Sequence, residues 1–259
     1  MNVTPVILTY NEEPNIGPTL ASLAWAPRVV VVDSGSSDRT AEIARSFANV
    51  AWFKREFDAH KTQWLYAIHG TGIDTRYVLA LDADMRPGTG FVEELTRFSK
   101  LDGEAALVPF EYRMQGRPLL GSIYPAQVRL FRKERILIEQ RGHTQVFSPT
   151  VPSVRFRSKL IHEDYKPFSR WLANQLKYAD LEAERIRTAP VPRFLDRIRR
   201  AGISPAIWGV YAYLRAGGPF GGSASRAYAQ ERMVFEALLA RLLADPTRQP
   251  GYLYEYSRP

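Results

Sequence analysis

Three short polar clusters in this sequence each follow an apolar, β-branched run. Thr9-Tyr10-Asn11-Glu12-Glu13 follows residues 3–8, Asp33-Ser34-Gly35-Ser36-Ser37-Asp38 follows residues 29–32, and Asp82-Ala83-Asp84 follows residues 77–81. The last cluster has the most definite chemistry. On an extended segment side chains two apart face the same way, so both carboxylates can face one cation. Hard carboxylate oxygens suit Mg²⁺ or Mn²⁺. Such a cation binds a diphosphate and neutralises the charge that builds as it leaves. Taken singly, each cluster reads equally well as a loop start or a helix cap, because Asp, Ser and Asn favour turns. Their succession behind three apolar runs is what points to one site.

Side chains so far apart in sequence act together only if a framework gathers them. Through about residue 104, strand and helix signals alternate: strands at 3–8, 29–32, 50–53 and 77–81, with amphipathic helical stretches between and after them. The four-valine run at 29–32 is too short for a free helix and fits a parallel strand buried on both faces. This order predicts an α/β fold with a mainly parallel sheet flanked by helices. Ligands of such sheets bind at the carboxyl ends of the strands, where all three clusters fall. Beyond residue 104 the pattern changes. Strands are expected at 105–112 and 127–131, a loop-rich stretch at 140–162, and helices from 171 onward, with Gly217-Gly218-Pro219-Phe220-Gly221-Gly222 as a flexible joint. The expected division is a domain over 1–168, with halves at about 1–104 and 105–168, followed by a helical extension over 169–259.

With these motifs in order, the sequence resembles the family 2 glycosyltransferases of the Rossmann-like GT-A fold. The matching residues are Thr9-Tyr10-Asn11-Glu12-Glu13, Val32-Asp33-Ser34-Gly35-Ser36-Ser37-Asp38-Arg39-Thr40 and Leu81-Asp82-Ala83-Asp84, which cover about the first 100 residues. A further stretch, His162-Glu163-Asp164-Tyr165-Lys166-Pro167-Phe168-Ser169-Arg170-Trp171, resembles the branch that includes lipopolysaccharide-core glucosyltransferases. The last 80 residues resemble that branch only loosely. The resemblance implies an inverting hexosyl transfer from a nucleotide-sugar, most often a UDP-sugar, to a lipopolysaccharide-type or lipid-linked glycan. It implies that Asp33 contacts the uracil or ribose and that Thr9 and Glu12 wall the nucleotide pocket, with Asn11 and Ser34 as further donor contacts from the same clusters. Asp82 then lies near the ribose and sugar and shares the metal with Asp84. Lys61 lies where related chains place a basic residue near the donor; otherwise it is an ordinary exposed helix lysine.

Inversion needs a base within hydrogen-bond reach of the acceptor hydroxyl. Asp164 lies 80 residues after Asp84 and is the first candidate, Glu163 the second and His143 the third. Related branches carry a Val-His-Glu motif where this chain has Gly142-His143-Thr144-Gln145, so the glutamate is missing there. The competing reading of Glu163-Asp164 is a cap for the helix that follows. His162 reads either as a neutral imidazole completing the metal site or as a structural histidine.

Composition narrows the function classes. Of the 259 residues, 45% are hydrophobic and 24% charged, which rules out wholesale disorder. Cysteine is absent, which removes thiolate metal sites, disulfides and cysteine nucleophiles together. The net charge of +8 is unevenly placed: residues 1–154 hold 17 basic and 17 acidic side chains, residues 155–259 hold 18 and 10. No helix-turn-helix or RNA-recognition pattern accompanies this excess, so nucleic acid is not the expected partner. Arg193, Arg197 and Arg200 share a helix face near Phe194, Leu195, Ile198 and Trp208, which suits either an anionic membrane surface or a core-packed helix with a solvated basic face. No apolar run approaches the roughly 20 residues of a membrane span. The expected location is cytoplasmic, peripheral on the inner membrane face. Two rival functions remain at this level. A sugar nucleotidyltransferase usually shows a Gly-rich, basic loop after the first strand, where this chain has Tyr10-Asn11-Glu12-Glu13. A non-catalytic carbohydrate- or partner-binding protein of the same fold has no need of the Asp82/Asp84 pair.

Overall fold

The computed structural model describes residues 2–141, 144–191 and 193–245. The chain divides into two compact units, one of Met1–Arg113 with Tyr124–Tyr165, the other of Met114–Ile123 with Lys166–Pro259.

In the first unit the chain runs β1 (Val3–Thr9), α1 (Glu13–Ala21), β2 (Val29–Asp33), α2 (Thr40–Arg45), β3 (Val50–Lys54), α3 (His60–His69), β4 (Tyr77–Asp82), β5 (Met85–Pro87), α4 (Phe91–Lys100), β6 (Ala105–Val108) and β7 (Phe110–Met114). After the short β8 (Arg117–Pro118) of the second unit come β9 (Gln127–Arg132), β10 (Ile136–Arg141), β11 (Thr144–Pro149), β12 (Val154–Arg155) and β13 (Leu160–His162). Seven strands form the main sheet in the order β12-β6-β9-β4-β1-β2-β3. Strands β4, β1, β2 and β3 are mutually parallel, and β9 is antiparallel to both β4 and β6. This is the α/β architecture that the strand–helix alternation predicts.

Both faces of the sheet are buried, and the period of two distributes side chains between them. Ile7, Val29, Val31, Leu79 and Leu81 pack with Ile16 and Leu20 of α1 and Phe91 and Leu95 of α4. Val6, Val30, Val32, Val78 and Ala80 point the other way, onto Trp64, Ala67 and Ile68 of α3. All four valines of residues 29–32 are fully buried. Each such side chain contributes roughly 1.5–3 kcal/mol of burial.

Two stretches differ from the sequence expectation. The single strand expected at 105–112 is divided at Pro109: β6 stays in the main sheet, while β7 pairs with β13 in a second sheet. Proline has no N–H to give a ladder, so it suits a point where the chain changes sheets. The stretch expected to be loop-rich instead holds the hairpin β10–β11 and the strands β12 and β13. Ile138 and Phe147 of that hairpin are buried against Trp64 and Phe131, so it is held by apolar burial.

The second unit is helical: α5 (Phe168–Thr188), α6 (Phe194–Arg200), α7 (Ser204–Arg215) and α8 (Gly222–Leu243). The proline-interrupted stretch 193–214 becomes two helices, parted at Gly202 with φ +72°. Residues 217–222 form a tight turn and not a loose joint. Gly217 has φ +114°, and a Cβ on Gly221 would lie 2.7 Å from the Ala216 carbonyl oxygen, so the turn needs glycine at both points. Partly buried ion pairs tie the helices together: Arg199 reaches Glu182 at 2.7 Å and the fully buried Glu236 at 3.1 Å, and Arg185 reaches the buried Asp196 at 2.7 Å.

Candidate active site

The register of the parallel strands lines up the three polar clusters. Thr9 is paired with Asp33, and Leu8 with Asp82, so the strand ends lie level within one residue. They also sit where strand order reverses, β1 lying between β2 and β4, which is the position where open α/β sheets leave a crevice for a ligand.

The first two clusters brace each other. Asn11 adopts φ +53°, a conformation asparagine tolerates better than most residues. Its backbone N–H donates to Ser36 Oγ at 2.7 Å, and its side-chain oxygen accepts from Ser37 N at 2.7 Å. Asp33 is buried and accepts from the N–H groups of Gly35 and Ser36 at 3.0 and 2.9 Å, and from the Ser36 hydroxyl. Ser34 accepts from Gln63 Nε2 at 3.1 Å. Thr9 is buried, and its hydroxyl has no hydrogen-bond partner among the described residues. Asn11 and Asp33 thus shape the loops that follow β1 and β2. Lys61 is exposed near the start of α3, where its backbone N–H donates to Gln140 Oε1 at 3.1 Å.

The Asp82-Ala83-Asp84 triplet is split in its partners. Asp82 faces the buried Arg129 of β9, at 3.2 Å. Desolvation alone would raise the Asp82 pKa; the Arg129 charge and hydrogen bond outweigh it, with smaller help from His162 and His60, and hold the carboxyl below its ordinary range. Asp84 faces His162 instead, with Oδ2 3.6 Å from Nε2. Strand pairing brings them together: β13 runs antiparallel to β5 with His162 opposite Met85, and Glu163 N donates to the Asp84 carbonyl at 3.1 Å. The Tyr112 ring packs on the imidazole at 4.6 Å between centroids. Thr19 Oγ1 donates to the Ala83 carbonyl at 2.6 Å and fixes the bend between the two aspartates.

Asp84 and His162 fit a divalent cation. Their spacing is close to that of two ligands on one ion with bonds of about 2.1 Å. Asp84 Oδ1 is buried and has no hydrogen-bond partner among the described residues, which a plain Asp–His ion pair does not explain. No cluster of three or more metal-ligating side chains occurs among the described residues. A cation held by these two side chains would take its remaining ligands from phosphate oxygens and water, as Mg²⁺-type sites commonly do.

The two acidic candidates for the base part company. Glu163 is 4% exposed, and its Oε2 accepts from Arg86 and from the Tyr165 hydroxyl. Asp164 is exposed, and its Oδ1 accepts from Asn15 Nδ2 at 2.8 Å. The same Asn15 donates to Glu12 Oε2 at 2.8 Å and accepts from Tyr165 N at 2.8 Å, while being itself buried. One asparagine thus joins the end of β1 to the segment after β13. Helix α5 begins at Phe168, with Pro167 at its N-cap position. His143 lies outside the described residues.

Sequence reasoning missed Arg129, Arg86 and Asn15. Arg129 alone left a signal, a charge between Val128 and Leu130 in a strand-like run. Arg86 and Asn15 read as ordinary loop and helix residues.

Known proteins resemble this chain in sequence over most of its length. A family model described as Glycosyl transferase family 2 matches residues 4–158. A lipopolysaccharide core biosynthesis glycosyltransferase, LpsC, of Rhizobium meliloti (strain 1021) is 26% identical over 226 residues, covering 82% of this chain and 80% of the relative. Among solved structures, S. aureus TarS 1-349 in complex with UDP-GlcNAc aligns over 93% of this chain and 90% of its own, at 13% identity and a TM-score of 0.48. GalNAc-T7 with UDP, GalNAc and Mn²⁺ aligns over 58% of this chain and 30% of its own, at 12% identity and a TM-score of 0.37. With the family match spanning more than half of its length, and the three strand-end clusters inside that span, this chain belongs to the family 2 glycosyltransferases and is a glycosyltransferase.

Proposed function

We propose that this glycosyltransferase is an inverting, metal-dependent enzyme. It moves a hexose from a nucleotide-sugar, a UDP-sugar, to a hydroxyl of a lipopolysaccharide-type or lipid-linked glycan. The observation that carries the reading is the level row Thr9–Asp33–Asp82 at the sheet reversal, with Asp84 and His162 3.6 Å apart beside it. The lipopolysaccharide-core relative supports the acceptor class.

In this reading the loops of Thr9–Glu12 and Asp33–Ser36 receive the nucleoside. Asp82, pinned by Arg129, faces the ribose and sugar. Asp84 and His162 hold Mn²⁺ or Mg²⁺, which when bound offsets the charge developing on the departing diphosphate. Asp164, oriented by Asn15, accepts the proton of the acceptor hydroxyl as that oxygen attacks the anomeric carbon. The new C–O bond forms on the side opposite the breaking bond to the diphosphate, so the anomeric configuration inverts. Glu163, locked against Arg86 and Tyr165, holds the segment that carries Asp164.

The test is nucleotide release from UDP-glucose, UDP-galactose and GDP-mannose, with and without Mn²⁺. Release from a UDP-sugar that EDTA abolishes is the expected result. Failure of every donor, or full activity in EDTA, would sink the reading.

A further inference from the structure

Helix α7 presents an apolar stripe to water. Ile207, Val210, Tyr211 and Leu214 are 47%, 61%, 45% and 63% exposed, and Ile203, just before the first turn, is 54% exposed. With Ala206, the four helical residues line an open groove along the helix. The other side of α7 is already used. Ser204, Gly209 and Ala212 are buried, and a Cβ on Gly209 would lie 2.3 Å from Met233 Cγ of α8. Packing against α8 therefore accounts for one face of α7 and leaves the stripe over. Isolated exposed apolar residues are ordinary, but a run of them on one face of a short helix forms a patch of the kind that marks an interaction surface.

The charge around the stripe says what the partner is. Residues 197–230 contain no Asp or Glu and five arginines. Arg199 is turned inward onto Glu182 and Glu236, but Arg197, Arg200, Arg215 and Arg226 are exposed. We propose that the α7 stripe beds into the surface of an anionic phospholipid bilayer, with the neighbouring arginines on the headgroups. Exposed apolar side chains in a segment that carries arginines and no acid have the composition of an interfacial helix, although Arg200 and Arg215 also donate to the Ile186 and Ser122 carbonyl oxygens. At 12 residues α7 is about 18 Å long. It therefore lies on the membrane, and no helix among the described residues is long and apolar enough to cross one.

A second copy of the chain fits the stripe less well. A twofold contact would set the arginines against their own kind, and a handful of side chains falls far short of the roughly 800 Å² per partner of a stable interface. Of the side chains the sequence offered for insertion, Phe194 is outward at 74% exposure. Trp208 is half-buried under Arg232, 4.9 Å from its ring, and Ile198 is half-buried too. The inserting residues are Ile207, Val210 and Leu214. This inference rests on the surface alone and stands apart from the donor and acceptor reading.

The test is vesicle co-sedimentation of the full chain at low and high salt. Pure phosphatidylcholine is compared with the same lipid containing about one-third phosphatidylglycerol, a content giving a strong negative surface potential. Wild type should bind the anionic vesicles and lose about tenfold or more of that binding at high salt or without the anionic lipid. Ile207→Ser with Val210→Ser and Leu214→Ser should lose it at any salt, and Arg197→Glu with Arg226→Glu should lose it mainly at low salt. Both variants should melt with wild type and release nucleotide from donor alone at its rate, since none of the substituted residues belongs to the strand-end site. If the triple serine chain fails to melt cooperatively, the arginine variant decides alone. Equal binding by wild type and a folded variant, no binding by wild type at low salt, or a dimer in ultracentrifugation that the serine substitutions dissolve would overturn the proposal.

Discussion

Glu163 and Asp164 are adjacent in sequence and differ in surroundings, so parallel amide substitutions should separate stability from turnover. Glu163 is 4% exposed, and its carboxylate holds Arg86 and the Tyr165 hydroxyl. Glu163→Gln keeps the shape and removes the charge that Arg86 faces. Breaking a buried pair from one side costs about 3–5 kcal/mol. Arg86, at 19% exposure, retains some hydration, and the amide oxygen can still accept from Tyr165. A loss of about 2–3 kcal/mol is expected, in line with a hydrogen bond to a charged group. At roughly 2–4 °C per kcal/mol for chains of this size, melting should fall by about 4–12 °C. Turnover should fall by less than about tenfold, or 1.4 kcal/mol of barrier, because the β5–β13 ladder still holds the segment. Asp164→Asn should behave in the opposite way. Its side chain is exposed, so melting should move by no more than surface substitutions do, about 0.5 kcal/mol. Turnover should fall by about 10²–10⁴, the usual contribution of a general base, with donor affinity unchanged. The assays are thermal melting by circular dichroism and nucleotide release at saturating donor and acceptor. Wild-type turnover in Asp164→Asn would refute the assignment and leave Glu163 or His143 as the base, and collapsed turnover with unaltered melting in Glu163→Gln would make it Glu163.

Three further outcomes follow from the same geometry. Asp84→Ala should abolish transfer and the Mn²⁺-dependent part of UDP binding while leaving melting in EDTA unchanged; calorimetry showing the same UDP affinity with and without Mn²⁺ in wild type would contradict it. Asn15→Leu removes the side chain that orients Asp164, so kcat should drop by roughly 10-fold or more with little change in donor KM, and Asn15→Asp should not restore it, because a carboxylate cannot donate to Asp164. Asp196 is buried; desolvation would raise its pKa, but the Arg185 hydrogen bond and the Arg193 N–H outweigh it and hold the carboxyl below its ordinary value of 3.8. Its stabilising effect is therefore complete above about pH 4 and is lost as pH falls through the lowered value. Asp196→Asn should cost about 1–3 kcal/mol in urea denaturation at pH 7, a gap that narrows below pH 4; a gap independent of pH would show that the ion pair is not the source.

The α/β class, the four parallel strands and the three strand-end clusters were legible in the sequence because each rests on local rules. β-branched runs of four to six residues form strands, period two buries both faces of residues 29–32, and Asp, Ser and Asn end strands in turns. Side-chain assignments were not legible where they depend on pairings between distant segments. His162 meets Asp84 because β13 lies antiparallel to β5, a register that no local pattern encodes. Asp82 and Asp84 look equivalent two residues apart, yet β9 brings Arg129 to the first and β13 brings His162 to the second. Glu163 and Asp164 are equally acidic in sequence, and only packing buries one against Arg86 and leaves the other at the surface beside Asn15. In the helical unit the apolar period of α7 showed amphipathicity, but which stripe faces α8 is settled by the absent Cβ of Gly209 under Met233. Secondary structure follows from neighbours along the chain. The charge state, exposure and partner of each functional side chain follow from neighbours across it, whose contacts form only once the whole sheet and helical bundle have closed.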